Sequence, residues 1–182
     1  MNAFEDIVKL YLEEEGYWVR QSVKVKISKQ DKRDLLTYSM PTPEIDLVAF
    51  NVKENELLLI EVKSFLDSQG VYFDVVCDEK GKYENSKYYK LFTNKRFRNV
   101  ITKRLSEEYL KQGLINEKTK VNFALAAGKI HSGDESKIYD YFSKRGWKLF
   151  SPKNIKEKVR ELSEKSWEDN LVTITAKLIL RD

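Results

Sequence analysis

The spacing of apolar and polar residues along this 182-residue chain predicts a domain built from both helices and strands. Two short apolar runs, residues 47–50 and 57–60, flank a polar turn at residues 51–55, which is typical of a β-hairpin. An apolar stripe at helical spacing over residues 2–15 predicts an amphipathic helix before the hairpin. Gly16 is the expected end of that helix.

The rest of the chain gives further elements of both kinds. Further strands are predicted at residues 17–27, 71–77, 121–127, 147–150 and 172–180. Further helices are predicted from about residue 95 through residue 109, from the Ser132-x-x-Glu135 capping box to residue 146, and from Ser151-Pro152 to about residue 167. Residues 28–42 are polar and are predicted to form a long loop, and residues 78–82 to form a turn.

The predicted order is helix, three strands, helix, strand, helix, strand, and then one more helix and strand. A strand–helix–strand unit brings parallel strands into a sheet, so the fold class is α/β with a mixed central sheet flanked by helices. We expect a single domain over residues 1–182, with its core at about residues 4–127 and C-terminal additions at residues 134–182. The final strand would lie at an edge, where it could pair with a second copy in a homodimer.

Composition limits the classes of function. A net charge of +4 and a pI near 8.9 permit a nucleic-acid partner without requiring one. Cys77 is the only cysteine, which excludes an intrachain disulfide, and His131 is the only histidine, which leaves little for a histidine-rich metal site or a Ser-His-Asp triad. No apolar run approaches the roughly 20 residues of a membrane span, and no signal region precedes the first helix, so we expect no membrane partner and a cytoplasmic location.

Charged residues lie where the two hairpin strands should be buried. Asp46 begins the first apolar run, and Glu61 and Lys63 follow the second. Residues i and i+2 of a strand share a face, so Glu61 and Lys63 project together, and pairing of the strands brings Asp46 close to them. Two carboxylates can hold Mg²⁺ through oxygen, and the ammonium can assist a metal-bound water or stabilise developing negative charge. This arrangement suits metal-assisted hydrolysis of a phosphodiester; the plainer alternative is a surface hairpin with an ordinary Glu–Lys pair.

The segments Glu44-Ile45-Asp46-Leu47-Val48-Ala49 and Leu59-Ile60-Glu61-Val62-Lys63-Ser64 resemble the PD-(D/E)xK, or restriction-endonuclease-like, nuclease superfamily, and most of all its Holliday-junction-resolvase-like members. The resemblance implies an α-β-β-β-α-β core and a Mg²⁺ cofactor that Mn²⁺ can replace. It implies that Asp46, Glu61 and the backbone carbonyl of Val62 are metal ligands and that Lys63 is the catalytic lysine. Glu44 shares a strand face with Asp46 and is the alternative ligand.

Glu5 is a further candidate for the catalytic site. It lies at the edge of the apolar face of the first helix, and in the nucleases that the chain resembles, a Glu in this helix often completes the site. The alternative is structural, because Asn2-x-x-Glu5 is also a capping-box pattern in which the Glu side chain satisfies a free backbone N–H.

Residues 85–106 contain basic side chains and no acidic one. Basic side chains neutralise phosphates, and the interleaved Tyr88, Tyr89 and Phe92 could stack on unpaired bases. The alternative is a core helix with a solvated face. The candidate nucleic-acid-binding residues are Lys87, Lys90, Lys95, Arg96, Arg98, Lys103 and Arg104.

Three hypotheses follow from these patterns. The first is a Mg²⁺-dependent deoxyribonuclease that cuts DNA with a metal-activated water. The second is a module of the same fold that binds nucleic acid without cutting it. The third is a structural protein that dimerises through its final strand, and it would bind DNA weakly and without the steep salt dependence of phosphate contacts.

Overall fold

A computed structural model describes residues 2–36, 39–78 and 89–181 of the chain. The strands are β1 (Tyr17–Lys24), β2 (Glu44–Asn51), β3 (Glu56–Lys63), β4 (Lys120–Ala127) and β5 (Lys148–Phe150). The helices are α1 (Ala3–Glu14), α2 (Lys29–Asp34), α3 (Phe73–Val76), α4 (Lys90–Thr93), α5 (Lys95–Lys111), α6 (Glu135–Ser143), α7 (Pro152–Glu164) and α8 (Leu171–Leu180).

The strands form one mixed sheet whose spatial order, β1-β2-β3-β4-β5, is also their order along the chain. β2 is antiparallel to both β1 and β3, whereas β3, β4 and β5 are parallel to one another. The α/β class and the mixed sheet flanked by helices are therefore confirmed. Because β2 is antiparallel to β3, the start of β2 lies beside the ends of β3 and β4. We call this border of the sheet, which is formed by strand ends and not by an outer strand, the site edge.

Helices cover both faces of the sheet because its strands are apolar on both sides. Leu57 and Leu59 of β3 pack in the same cluster as the buried stripe of α5, whereas Leu58 and Ile60 pack in the cluster of α1 and α7. The α5 stripe consists of Phe97, Ile101, Leu105 and Tyr109, as predicted from their four-residue spacing. The α1 stripe consists of Phe4, Val8 and Leu12. A sheet enclosed in this way holds the strand ends of the site edge in fixed positions.

The predicted C-terminal strand is wrong, since residues 171–180 form the helix α8. The alternation of Val172, Ile174, Ala176 and Leu178 suggested a strand because side chains that alternate along the sequence fit a half-buried sheet. Asn170 instead caps a helix, and its side chain accepts a hydrogen bond from the Thr173 N–H at 2.8 Å. The C-terminal additions are therefore two helices after β5, and the final segment has no free strand edge.

Three smaller predictions also need correction. Residues 28–42 are not entirely a loop, because α2 lies within them and begins with a capping box between Ser28 and Asp31. Residues 71–77 contain the short helix α3 instead of a strand, with one isolated bridge between Val71 and Ile130. The helix α6 begins after Asp134, whose side chain makes no capping hydrogen bond, and not at the predicted Ser132 box. The turn predicted at residues 78–82 lies almost wholly outside the described residues.

Across the described parts of the chain, no helix combines the length and the apolar character that crossing a membrane requires.

Candidate active site

The β2–β3 ladder ends just where the predicted site begins. Its last pair is Leu47 with Ile60, and continuing the same register by one residue sets Asp46 opposite Glu61. The Asp46 carboxylate accepts a hydrogen bond from the backbone N–H of Val62, with 2.7 Å between Oδ2 and N. A side chain thus replaces a backbone acceptor at the point where the two strands part.

The ladder between β1 and β2 is interrupted at the same residue. Residues 21 and 23 of β1 pair with residues 47 and 45 of β2. Ser22 lies between them, opposite Asp46, and has a left-handed backbone with a φ of 51°. A non-glycine residue in this region is strained, and such strain is concentrated at functional sites. Asp46 is therefore the residue at which both neighbouring ladders of β2 are distorted.

The Lys63 ammonium lies between the two carboxylates. Its Nζ is 2.5 Å from Glu61 Oε1, 3.2 Å from the Val62 carbonyl oxygen and 3.8 Å from Asp46 Oδ2. The side chains of Lys63, Glu61 and Asp46 are 15%, 16% and 26% exposed, so the group is largely withdrawn from water yet open on one side. The structure thus brings together the three residues that the hairpin pattern singled out.

Burial dominates the electrostatics of Glu61. Desolvation raises the pKa of the Glu61 carboxyl to about 7; the Lys63 charge opposes this rise and the Asp46 charge adds to it. Ionising the buried Glu61 carboxyl costs free energy unless a second positive charge lies near it in addition to the Lys63 ammonium. Binding of a divalent cation would supply that charge and compete with the proton.

The oxygen atoms present suit a hard cation. Asp46, Glu61 and the Val62 carbonyl supply oxygen donors at one point, and Mg²⁺ is typically held by one or two carboxylates with water completing its shell. Among the residues that the structure describes, no group of three or more His, Cys, Asp or Glu side chains is arranged to hold a metal. A cation here would therefore depend on two carboxylates, the carbonyl, and oxygens from water or substrate.

Glu5 follows Phe4, whose ring lies against Gly128 directly after β4, so the first turn of α1 is near the site edge. Burial, and then the Asp46 charge, raise the pKa of the Glu5 carboxyl. Asn2 caps this helix by accepting a hydrogen bond from the Phe4 N–H at 3.0 Å. No reciprocal bond from Glu5 closes a capping box within the described residues. Glu44, the alternative to Asp46, is exposed at the start of β2.

Tyr89 is a buried neighbour of Glu61. Sequence reasoning placed Tyr89 and Phe92 among aromatic rings available to bases, but both side chains are in the core, and that prediction is wrong for them. Burial, and then the Glu61 charge, raise the pKa of the Tyr89 hydroxyl. Tyr88 lies outside the described residues.

The basic residues of the candidate nucleic-acid surface divide into two groups. Arg98 donates to the carbonyl oxygens of Leu91 and Phe92 at 2.9 and 3.1 Å and so supports the end of α4. Arg104 pairs with Asp31, with Nε to Oδ2 at 2.7 Å and Nη2 to Oδ1 at 3.0 Å. Both arginines therefore hold the fold together.

The remaining candidates are more open. The Lys90 ammonium lies 5.7 Å from the centre of the Phe97 ring. Lys95, Arg96 and Lys103 are exposed on α5. Arg96 and Lys103 are seven residues apart, about two turns of helix, and so share a face. Lys87 lies outside the described residues.

Asp31 is the structurally important residue that sequence reasoning missed. Asp31 is buried, and its side chain accepts a hydrogen bond from the backbone N–H of Ser28, the N-cap residue of α2. Its two carboxylate oxygens also bind the Arg104 guanidinium, and this pair holds α2 against α5. The Arg104 hydrogen bond is the largest cause of a lowered pKa, about 2, for the Asp31 carboxyl. The signal was present, because Ser28-x-x-Asp31 is a capping pattern.

Comparison of the chain with protein-family models, with curated proteins and with solved structures gives no match.

Proposed function

We propose that this protein is a metal-dependent nuclease that hydrolyses phosphodiester bonds of DNA. The observation that carries the proposal is the Lys63 ammonium held between Asp46 and Glu61 where β2 and β3 separate. An ordinary surface Glu–Lys pair would have no reason to be withdrawn from water beside a second carboxylate. The fold we propose is restriction-endonuclease-like, which the α1-β1-β2-β3-α5-β4 order supports.

Each residue of the site has a role in this chemistry. Asp46, Glu61 and the Val62 carbonyl would hold Mg²⁺ or Mn²⁺, and the cation would supply an activated water and polarise the scissile phosphate. Lys63 would stabilise the negative charge that builds up on the phosphate oxygens during attack. Because the Asp46 carboxylate already accepts a hydrogen bond from the Val62 N–H, it would be held in position before the substrate binds. Glu5 would orient a water from the first turn of α1.

The substrate would be held by its phosphates. Lys95, Arg96 and Lys103 are exposed on α5, the helix that precedes β4 in the chain. Such contacts fix a strand in place without selecting a sequence. DNA is therefore the proposed partner, with contacts to its backbone instead of its bases.

The experiment that tests the proposal measures how far each of four proteins cuts linear, circular, single-stranded and branched DNA in Mg²⁺, Mn²⁺ or EDTA. They are the parent, Asp46→Ala, Lys63→Ala and the control Lys148→Ala. Lys148 pairs with Glu56 at the edge of the sheet opposite to the site edge, so its loss removes a Lys–Glu pair without touching the site. We expect the parent and the Lys148→Ala control to cut DNA and the Asp46→Ala and Lys63→Ala proteins to leave it uncut. In EDTA we expect no protein to cut.

Binding of the same DNA substrates at several salt concentrations tests the alternative of a binding module. If the parent binds DNA in a salt-dependent way and cuts none of the substrates with either cation, the hydrolytic proposal fails. Cutting by Lys63→Ala at the parent's rate would contradict the role given to that lysine.

A further inference from the structure

The helix α8 has its apolar residues on the outside. It buries Thr173 and Ala176 against the rest of the protein, while Leu171 and Leu178 are 81% and 82% exposed. Trp167, in the segment leading to α8, is 89% exposed. By contrast, α1 buries its large apolar residues Phe4, Val8 and Leu12 in the ordinary way. This inversion marks the outer face of α8 as a surface that another molecule covers.

The exposed apolar surface is large enough for a specific interface. Ile174 and Ile179 extend the surface that Trp167, Leu171 and Leu178 begin, and we call these five residues the α8 face. With roughly 150–250 Å² for each large apolar residue, scaled by its exposed fraction, the α8 face offers about 550–900 Å². Monomers rarely present more than about 300–600 Å² in one patch, and a standard protein interface takes about 800 Å² from each partner.

The shape around α8 can accommodate a second helix of the same kind. On one side, α8 and α1 enclose a groove of about 590 Å³ lined by residues such as Ile7, Leu10 and Ile179. On the other side, Trp167, Ile174 and Leu178 border a groove of about 730 Å³. The helix is thus a ridge with a groove on each side. Two copies related by a two-fold axis can place each ridge in a groove of the other.

The charges beside the two grooves are balanced. Those lining the grooves are four acidic residues (Asp6, Glu13, Glu164 and Glu168) and four basic residues (Lys9, Lys165, Lys177 and Arg181). A helix that lies on an anionic bilayer carries mainly basic residues on its polar side. Here the charges balance and are partly paired within the chain, Lys9 with Glu13 and Lys165 with Glu168, so the rim suits a protein surface of equally balanced charge instead of an anionic bilayer.

We infer that the α8 face is the interface through which two copies of this chain form a homodimer. The occupant is a second copy because the area matches one half of a standard interface and because the rim is balanced in charge. The inference is independent of the proposed hydrolysis, since the α8 face contains none of the residues of the candidate site.

The test measures mass in solution by sedimentation velocity for the parent, Leu178→Glu and Leu171→Glu. The control is Val52→Glu, which adds the same charge at an exposed apolar residue in the β2–β3 turn. Protein concentrations from roughly 1 to 100 µM cover the range over which a dimer with a dissociation constant around 1 µM forms. We expect the parent and the control to be dimers at the upper end and both α8 variants to be monomers. Since both leucines are more than 80% exposed, circular dichroism should give the same helix content for all four proteins.

Two results would overturn the inference. The first is a parent that is monomeric throughout the concentration range, and the second is a Leu178→Glu protein that dimerises as the parent does. A monomeric parent is then tested for co-sedimentation with vesicles of phosphatidylglycerol and phosphatidylcholine, and it could bind them while Leu178→Glu does not. That last result would assign the α8 face to a lipid surface.

Discussion

The Asp46 carboxylate accepts a hydrogen bond from the backbone N–H of Val62, the residue between Glu61 and Lys63, at 2.7 Å. One side chain therefore links β2 to β3 beyond the last pair of their ladder. This bond gives Asp46 a structural duty in addition to the metal-binding role proposed for it. The two duties can be separated, because only one of them requires a negative charge.

Asp46→Asn should keep the fold and lose hydrolysis. The amide oxygen of Asn can still accept from Val62 N–H, whereas Asp46→Ala leaves that N–H without its partner at a cost of about 1–3 kcal/mol. Urea unfolding should therefore place Asp46→Asn near the parent and Asp46→Ala below it. Nuclease assays should find both variants inactive. An active Asp46→Asn protein would show that the carboxylate charge is not needed and would remove Asp46 from the metal site.

Lys63→Met should abolish hydrolysis and leave cation binding intact or stronger. The ammonium now neutralises Glu61 at 2.5 Å, and its removal leaves a divalent cation as the remaining source of positive charge there. Isothermal titration with Mn²⁺ should give a dissociation constant equal to or below that of the parent, while turnover falls by roughly 10²-fold or more. Lys148→Met is the matched control for loss of a paired lysine. Weaker Mn²⁺ binding by Lys63→Met would mean that the lysine maintains the site instead of acting on the substrate.

The pair between Asp31 and Arg104 should make stability depend on pH in acid. The pKa of Asp31 is about 2 in the folded protein against an ordinary 3.8, so its carboxylate contributes stability above pH 3.8. That contribution declines as the pH falls from about 4 and is lost below about 2. Urea unfolding between pH 2 and 6 should find Asp31→Asn less stable than the parent by about 1–3 kcal/mol at pH 6, with the difference shrinking toward pH 2.

Asp34→Asn is the control for that measurement. Asp34 is on the same short helix but is exposed, and it accepts a hydrogen bond only from the neighbouring Gln30 among described residues. Its substitution should change stability little at any pH. A difference for Asp31→Asn that stayed constant down to pH 2 would mean that the ionised pair is not its source.

Replacing Lys95, Arg96 and Lys103 by Ala should weaken DNA binding and reduce its salt dependence. Each lost phosphate contact lowers the slope of log K against log salt by about 0.9, so the triple variant should lose up to about 2.7. The matched control replaces Lys111, Lys118 and Lys120, which are exposed toward the opposite edge of the sheet and carry the same total charge. Equal losses in both triple variants would indicate nonspecific attraction to net charge and would contradict a defined phosphate-binding surface on α5.

The hairpin of the site could be predicted from sequence because its signals are local. Charged residues at the ends of two apolar runs fix which face Glu61 and Lys63 share, and a short turn, residues 52–55 in the structure, fixes their register with Asp46. The pairing of Asp31 with Arg104 joins residues 73 positions apart, so no local pattern contains it. The final segment was predicted wrongly for a different reason. Its alternation of apolar and polar residues fits a half-buried strand, whereas the helix that forms begins at the hydrogen bond from the Thr173 N–H to the Asn170 side chain.

The order of strands in the sheet, identical to their order in the chain, has a consequence for how the protein is made. Each strand from β2 onward pairs with a strand that was synthesised before it, so its pairing does not depend on a strand that is still to be made. Asp46, Glu61 and Lys63 lie within 18 residues of one another, and closing so short a loop carries a small entropic cost. We expect this hairpin to assemble early during synthesis. The three charges of the candidate site are then in place before the chain beyond β4 is made.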